Sequence, residues 1–132
     1  MKNFIFIFIL TVIIGCEPGY RIYVRNTSST TVYLKTHPSI ESLCLKQSSY
    51  YDSIIINKVK EEGDFSFYAI KPLNSFRVWG SIGGKPTLKE IPFDYVAIIR
   101  GSDTLILDNK EKIINQIKRE GKKFDYYIEI EK

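Results

Sequence analysis

Apolar and polar residues alternate with a period of two through most of the chain, which is the signature of half-buried β-strands. Tyr20, Ile22 and Val24 alternate with Arg21, Tyr23 and Arg25. The run Asn26-Thr27-Ser28-Ser29-Thr30 then leads into Thr31 to Lys35, a pattern that predicts a hairpin. Residues 36 to 51 read as a long connection with one helical turn around Ile40 to Leu45. Strands are expected at Asp52 to Val59, Phe65 to Ile70 and Asn74 to Gly80, separated by turn residues around Gly63 and Pro72. Phe93 to Arg100 meets Asp103 to Leu107 across Gly101-Ser102, where glycine suits the first central position of a type II′ turn. Tyr95, Ala97 and Ile99 point one way and Val96 and Ile98 the other, so this strand has two apolar faces and belongs inside a sheet. Asp108 and Glu111 have capping-box spacing, Ile113, Ile114 and Ile117 form a narrow stripe, and Gly121 can close the end. These features predict a short amphipathic helix. Phe124, Tyr126, Ile128 and Ile130 then alternate with Asp125, Tyr127 and Glu129 in a final strand.

The expected fold is all-β, an immunoglobulin-like β-sandwich of about seven to eight strands with one short helix, without the Cys, Trp, Cys spacing of a true immunoglobulin domain. Composition agrees, with 21 Ile, 9 Tyr and 8 Phe against 2 Ala. An A+T-rich genome would produce part of that bias, so composition weighs less than alternation against helices. The segment before the first strand does not fit the alternation. Lys2 precedes an apolar run from Phe4 to Ile14 that is broken only by Thr11, and Glu17-Pro18-Gly19 stops any helix beyond it. A membrane span takes about 20 apolar residues. The run falls short of that, and a secretory leader is favoured over a retained transmembrane helix.

The leader ends in Ile13-Ile14-Gly15-Cys16. This resembles the lipobox of bacterial lipoproteins, in which a small residue admits the signal peptidase and the cysteine thiolate accepts lipid. The resemblance covers this segment alone. It implies removal of residues 1–15, lipidation of Cys16, a tether over 16–19 and one domain over 20–132. It also implies a membrane partner through the acyl chains, two of which already anchor stably. Family sorting rules hold back lipoproteins with Asp after the cysteine, and Glu17 stands here, so the resemblance implies the periplasmic face of a Gram-negative outer membrane. The strand layout is also similar in style to small bacterial β-sandwich lipoproteins of unassigned activity, whose domains begin with a Tyr-rich strand and an Asn-Thr-Ser turn.

Loss of Lys2 with the leader leaves 18 Lys and Arg against 15 Asp and Glu. The excess is local. Residues 109–123 hold Lys110, Lys112, Lys118, Arg119, Lys122 and Lys123 against Glu111 and Glu120. Lys118, Arg119, Lys122 and Lys123 are the candidate contacts for anionic headgroups or acidic envelope polymers, set against an ordinary solvated helix face. Interleaved aromatics are missing, so nucleic acid is not an expected partner.

Candidate chemistry is sparse. His37 is the single histidine and is read as a solvated loop residue, not as the base of a nucleophilic site. With Cys16 lipidated, Cys44 is the only thiol left, too little for zinc; it is either buried or bridges chains. Glu61, Glu62 and Asp64 lack calcium-loop spacing, and Gly80 to Pro86 lacks one residue and the hydroxyl of a phosphate loop. No metal, cofactor or catalytic residue is expected. Trp79, Phe76, Tyr50 and Tyr51 are read as core in preference to a sugar-stacking platform. Asp52-Ser53-Ile54 and Asp103-Thr104-Leu105 look like the Asp-Ser/Thr-aliphatic signal for O-glycosylation at Ser53 and Thr104. The functional expectation is a non-catalytic interaction or structural module. A small inhibitor or immunity protein using a protruding loop, residues 36–51 or 80–86, is the alternative.

Overall fold

Strand alternation gives each sheet a dry face and a wet face, and the two dry faces meet. The computed structural model describes residues 19–43, 49–121 and 124–129. Four strands, β1 (Gly19–Arg25), β5 (Ser75–Ile82), β8 (Lys118–Arg119) and β9 (Asp125–Glu129), form a sheet in the order β5-β1-β9-β8. Five others, β2 (Val32–His37), β3 (Lys58–Glu62), β4 (Phe65–Ile70), β6 (Tyr95–Arg100) and β7 (Asp103–Leu107), form a second in the order β3-β4-β2-β6-β7. Ile22, Val24 and Ile128 from the first meet Leu34, Tyr68 and Ile98 from the second in one buried cluster. The protein is therefore mostly β, with two sheets joined as a sandwich by a shared core. A cavity of about 10 Å³ lies within it. That is far below the several hundred Å³ of a small-molecule chamber.

Several elements fall where alternation puts them. β4 covers Phe65–Ile70 and β7 covers Asp103–Leu107. β6 lies between β2 and β7, as its two apolar faces require. Gly101 has φ 58 and Ser102 does not share its positive φ, which suits a type II′ turn.

Others depart from expectation. β1 and β2 are not a hairpin, because they belong to different sheets. Asn26, which is 2% exposed, sits at the point of crossing. Its Nδ2 donates to the carbonyls of Thr30 (2.8 Å), Ile70 (2.9 Å) and Lys71 (3.1 Å), while its Oδ1 accepts from the backbone N–H (3.0 Å) and hydroxyl (2.6 Å) of Ser28. One side chain thus ties the crossover to the β4–β5 connection, and the chain changes sheets there.

Asp52 to Val59 is not a strand either. Helix α1 (Ser49–Asn57) occupies most of it, and β3 begins at Lys58. Tyr50 and Ile54 are spaced i, i+4 on one helix face, and both pack on the core. Ile56 is 82% exposed. The Ile54-Ile55-Ile56 run is apolar without period, and the helix takes one isoleucine inward.

The later helix, α2 (Lys110–Gln116), is capped one residue beyond expectation. Asn109 is extended, and its side chain accepts from Lys112 N at 2.9 Å. Asp108 instead pairs with Lys112 Nζ at 2.7 Å. The helix ends before Gly121, since Ile117 is already extended and leads into β8.

Candidate functional site

β1 and β9 run parallel, and their outward residues match in order: Arg21 beside Asp125, Tyr23 beside Tyr127, Arg25 beside Glu129. Each row is complementary. Arg21 Nε reaches Asp125 Oδ1 at 2.8 Å. The tyrosine rings stack with centres 5.5 Å apart at 22°. Arg25 lies 3.7 Å over the Tyr127 ring and pairs with Glu129 at 3.0 Å and with Glu120. The Arg25 hydrogen bond holds the Glu120 carboxyl below its ordinary pKa. Cation, aromatic and cation against anion, aromatic and anion make a stripe that binds its own partner strand first.

The parallel register also fixes which end is which. Arg21 N donates to Phe124 O at 3.0 Å, and Gly19 pairs with Ile82. The start of β1, the β8–β9 turn and the loop after β5 therefore share one end of this sheet. Tyr126 Oη donates to Gly84 O at 2.9 Å and fastens that loop.

Of the four basic candidates, Lys118 and Arg119 are exposed on β8, not on a helix. Lys118 sits beside Tyr127 and Arg119 beside Tyr126, so their side chains leave opposite faces. Arg119 lies 5.2 Å from the Phe124 ring. Lys122 and Lys123 lie outside the described residues, as do Cys16 and Cys44. The expected basic helix face is thereby split, because α2 carries only Lys110 and Lys112 of the segment.

Ser53 is exposed on α1, and Thr104 is exposed on β7 opposite Ile99. The two hydroxyls thus reach solvent on different elements. His37 is not a loop residue: it ends β2, packs 5.6 Å from Phe65 and meets Asp94 Oδ1 through Nδ1 at 2.7 Å. Phe76 is buried, and Tyr50 and Trp79 pack against the core. No group of three or more potential metal ligands occurs among the described residues. No helix among them is long and apolar enough to cross a membrane.

The edge strand β5 adds what the sequence pattern did not single out. A bulge between Ile22 and Tyr23 leaves Trp79 opposite Ile22 and Arg77 opposite Tyr23. Arg77 therefore joins the outward arginines, while Trp79 turns toward the core. Arg77 Nε is buried without a hydrogen-bond partner, and Tyr20 Oη lies buried beside Trp79 Nε1 and Ser81. Burial raises the Tyr20 pKa, and the charge of Glu90 raises it further. Glu90 itself is held by Thr87, through N–H at 3.1 Å and hydroxyl at 2.8 Å.

No family model matches the chain, and comparison with curated proteins and with solved structures finds no match. The site is therefore read on geometry alone. At the β5 edge it presents the buried Arg77 Nε without an acceptor. The signal for the β1–β9 stripe was present in Arg-x-Tyr-x-Arg against Asp-x-Tyr-x-Glu, complementary only when the two strands run parallel. Arg77 had no such signal, because its position depends on the bulge.

Proposed function

We propose that the protein is a lipid-anchored lipoprotein of the bacterial envelope, held at the periplasmic face of the outer membrane. It presents a non-catalytic β-sandwich to an envelope partner. The observation that carries this reading is the apolar leader ending in Ile13-Ile14-Gly15-Cys16. It is supported by the closeness of β1 to that cysteine, since the first strand begins at Gly19. At about 3.3 Å per extended residue, so short a tether keeps the sandwich within about 10 Å of the bilayer surface. The end of the sheet entered from the tether would then face the headgroups, with Arg119 on the adjoining edge strand.

Within the β-sandwich class, an immunoglobulin-like arrangement is supported by the two sheets packed on one core and by the first strand lying parallel to the last.

Metabolic labelling with a fatty acid, comparing the native chain with Cys16→Ser, tests the anchor. Label on the native chain, lost with membrane association in the variant, is the expected result. An unlabelled native chain, or a variant that is still labelled and processed, overturns the reading.

A further inference from the structure

Arg21 and Arg25 are each matched to a carboxylate, whereas Arg77 has none within ion-pair distance among the described residues. Its guanidinium lies 4.6 Å from the centre of the Tyr50 ring, and the Tyr50 hydroxyl donates to the Arg77 carbonyl at 3.0 Å. One tyrosine thus fixes both backbone and head group. Stacking occupies the face of a guanidinium and leaves its N–H edge available. Arg77 Nε is buried without an acceptor.

Arg77 opens onto a hollow of about 430 Å³, which it lines together with Tyr20, Arg21, Gly80 and Ser81, beginning at Gly19. Gly80 makes the room. A Cβ there would stand 2.8 Å from Arg77 Nη2 and 2.7 Å from the Tyr20 carbonyl oxygen. Arg21, opposite Gly80 in register, engages Asp125 through Nε. Its side chain is 47% exposed. Two guanidiniums therefore converge on one open hollow, while Ser81, opposite the buried Tyr20, contributes its backbone to the wall. Guanidinium edges match the oxygens of a phosphate two at a time, which a lone ammonium does not.

We propose that this hollow binds a phosphate-bearing anion, with Arg77 as its principal ligand and Arg21 as a supporting donor. The site stands on these side chains and does not require the acyl anchor. That the phosphate belongs to an anionic lipid headgroup rests on the anchored reading, because Gly19 at the rim is three residues from Cys16.

The full chain in uncharged detergent is dialysed to equilibrium against labelled inorganic phosphate at fixed ionic strength, with chloride as the competing salt. Saturable binding that chloride does not displace is expected. Trp79, the single tryptophan of the chain, neighbours Gly80 and should report occupancy by a fluorescence change with the same midpoint. Arg77→Gln should weaken binding by about tenfold or more, the scale of a lost charge-assisted hydrogen bond. Arg21→Gln, at an exposed position compatible with folding, should weaken it by a smaller factor. Lys71→Gln, exposed in the β4–β5 connection outside the hollow, should leave it unchanged. No saturable phosphate binding, or native affinity in both arginine variants, overturns the proposal. In nanodiscs of phosphatidylcholine, added phosphatidylglycerol should produce the Trp79 change in an Arg77-dependent way if the headgroup is the source. A response to soluble phosphate alone keeps the site and assigns it a free phosphate. Failure of acyl labelling at Cys16 removes the anchor without altering any of these results.

Discussion

Arg25 and Lys35 occupy outward positions on the two sheets, yet they are held by different means. Arg25 is fixed by charge, between Glu120 and Glu129 and over Tyr127. Lys35 has no carboxylate within ion-pair distance among the described residues. Its ammonium lies 4.3, 5.2 and 5.7 Å from the ring centres of Phe65, Phe67 and Tyr95. Phe67 and Ala97 are 7% and 2% exposed although they sit on that outer face. The lysine stem and the aromatic edges make a second, thinner apolar layer there. A wet face can therefore be ordered by complementary charge or by hydrocarbon under a cation. The first kind pairs its charges across neighbouring strands, and the second closes over itself.

The largest expected effect separates the inner from the outer layer of the five-stranded sheet. Ile98 faces the shared core and is 1% exposed, whereas its neighbour Ile99 faces outward and is half-buried. Ile98→Ala should lower stability by about 2 to 5 kcal/mol, the range for a buried large-to-small change. Ile99→Ala should cost about 1 kcal/mol or less, since little of its burial is shared by the core. Urea unfolding midpoints check both. Equal losses would show that the outer layer is packed as tightly as the core.

The next expected effect comes where the two sheets are joined. Asn26→Ala leaves buried carbonyls at the crossover without their donor, at about 1 to 3 kcal/mol for an unsatisfied group. Asn26→Asp should cost at least as much, because a carboxylate would face the Ile70 and Lys71 carbonyls where an amide now donates. Unfolding midpoints matching the native chain in both variants would mean that the crossover is held elsewhere.

How much of this was legible follows from whether the deciding contacts are local. β4, β6 and β7 were readable because the period-two pattern and the Gly101 turn carry their own boundaries. The wet faces were readable as wet. The crossover was not, since Asn26 looks the same in a hairpin turn as in a buried hub, and the difference lies in Ile70 and Lys71, far along the chain. α1 was missed because three consecutive isoleucines have no period, and the core chose the Tyr50 and Ile54 spacing. Among the basic candidates, the charge run showed where bases are dense and not that β8 would send Lys118 and Arg119 to opposite faces. The hollow at Arg77 depends on a bulge and on the space over Gly80, and both exist only after β1 and β5 pair.

The smallest expected effect is the most direct contrast between the two faces. A double-mutant cycle of Arg21→Ala with Asp125→Ala should give a coupling of about 0.2 to 1 kcal/mol, the range for exposed ion pairs. That coupling should shrink as salt rises, because the Debye length falls to about 3 Å at 1 M. Lys35→Met, on the other sheet, keeps the hydrocarbon stem and removes the charge. It should change stability by about 1 kcal/mol or less, the scale of an exposed cation–π contact. That change should vary less with salt than the Arg21–Asp125 coupling, because much of what Lys35 contributes is the cover its stem gives the Phe65 and Phe67 rings. Unfolding at low and high salt measures both on one scale. A salt-insensitive Arg21–Asp125 coupling, or a Lys35 effect that salt removes entirely, would erase the distinction between a face ordered by charge and a face ordered by burial.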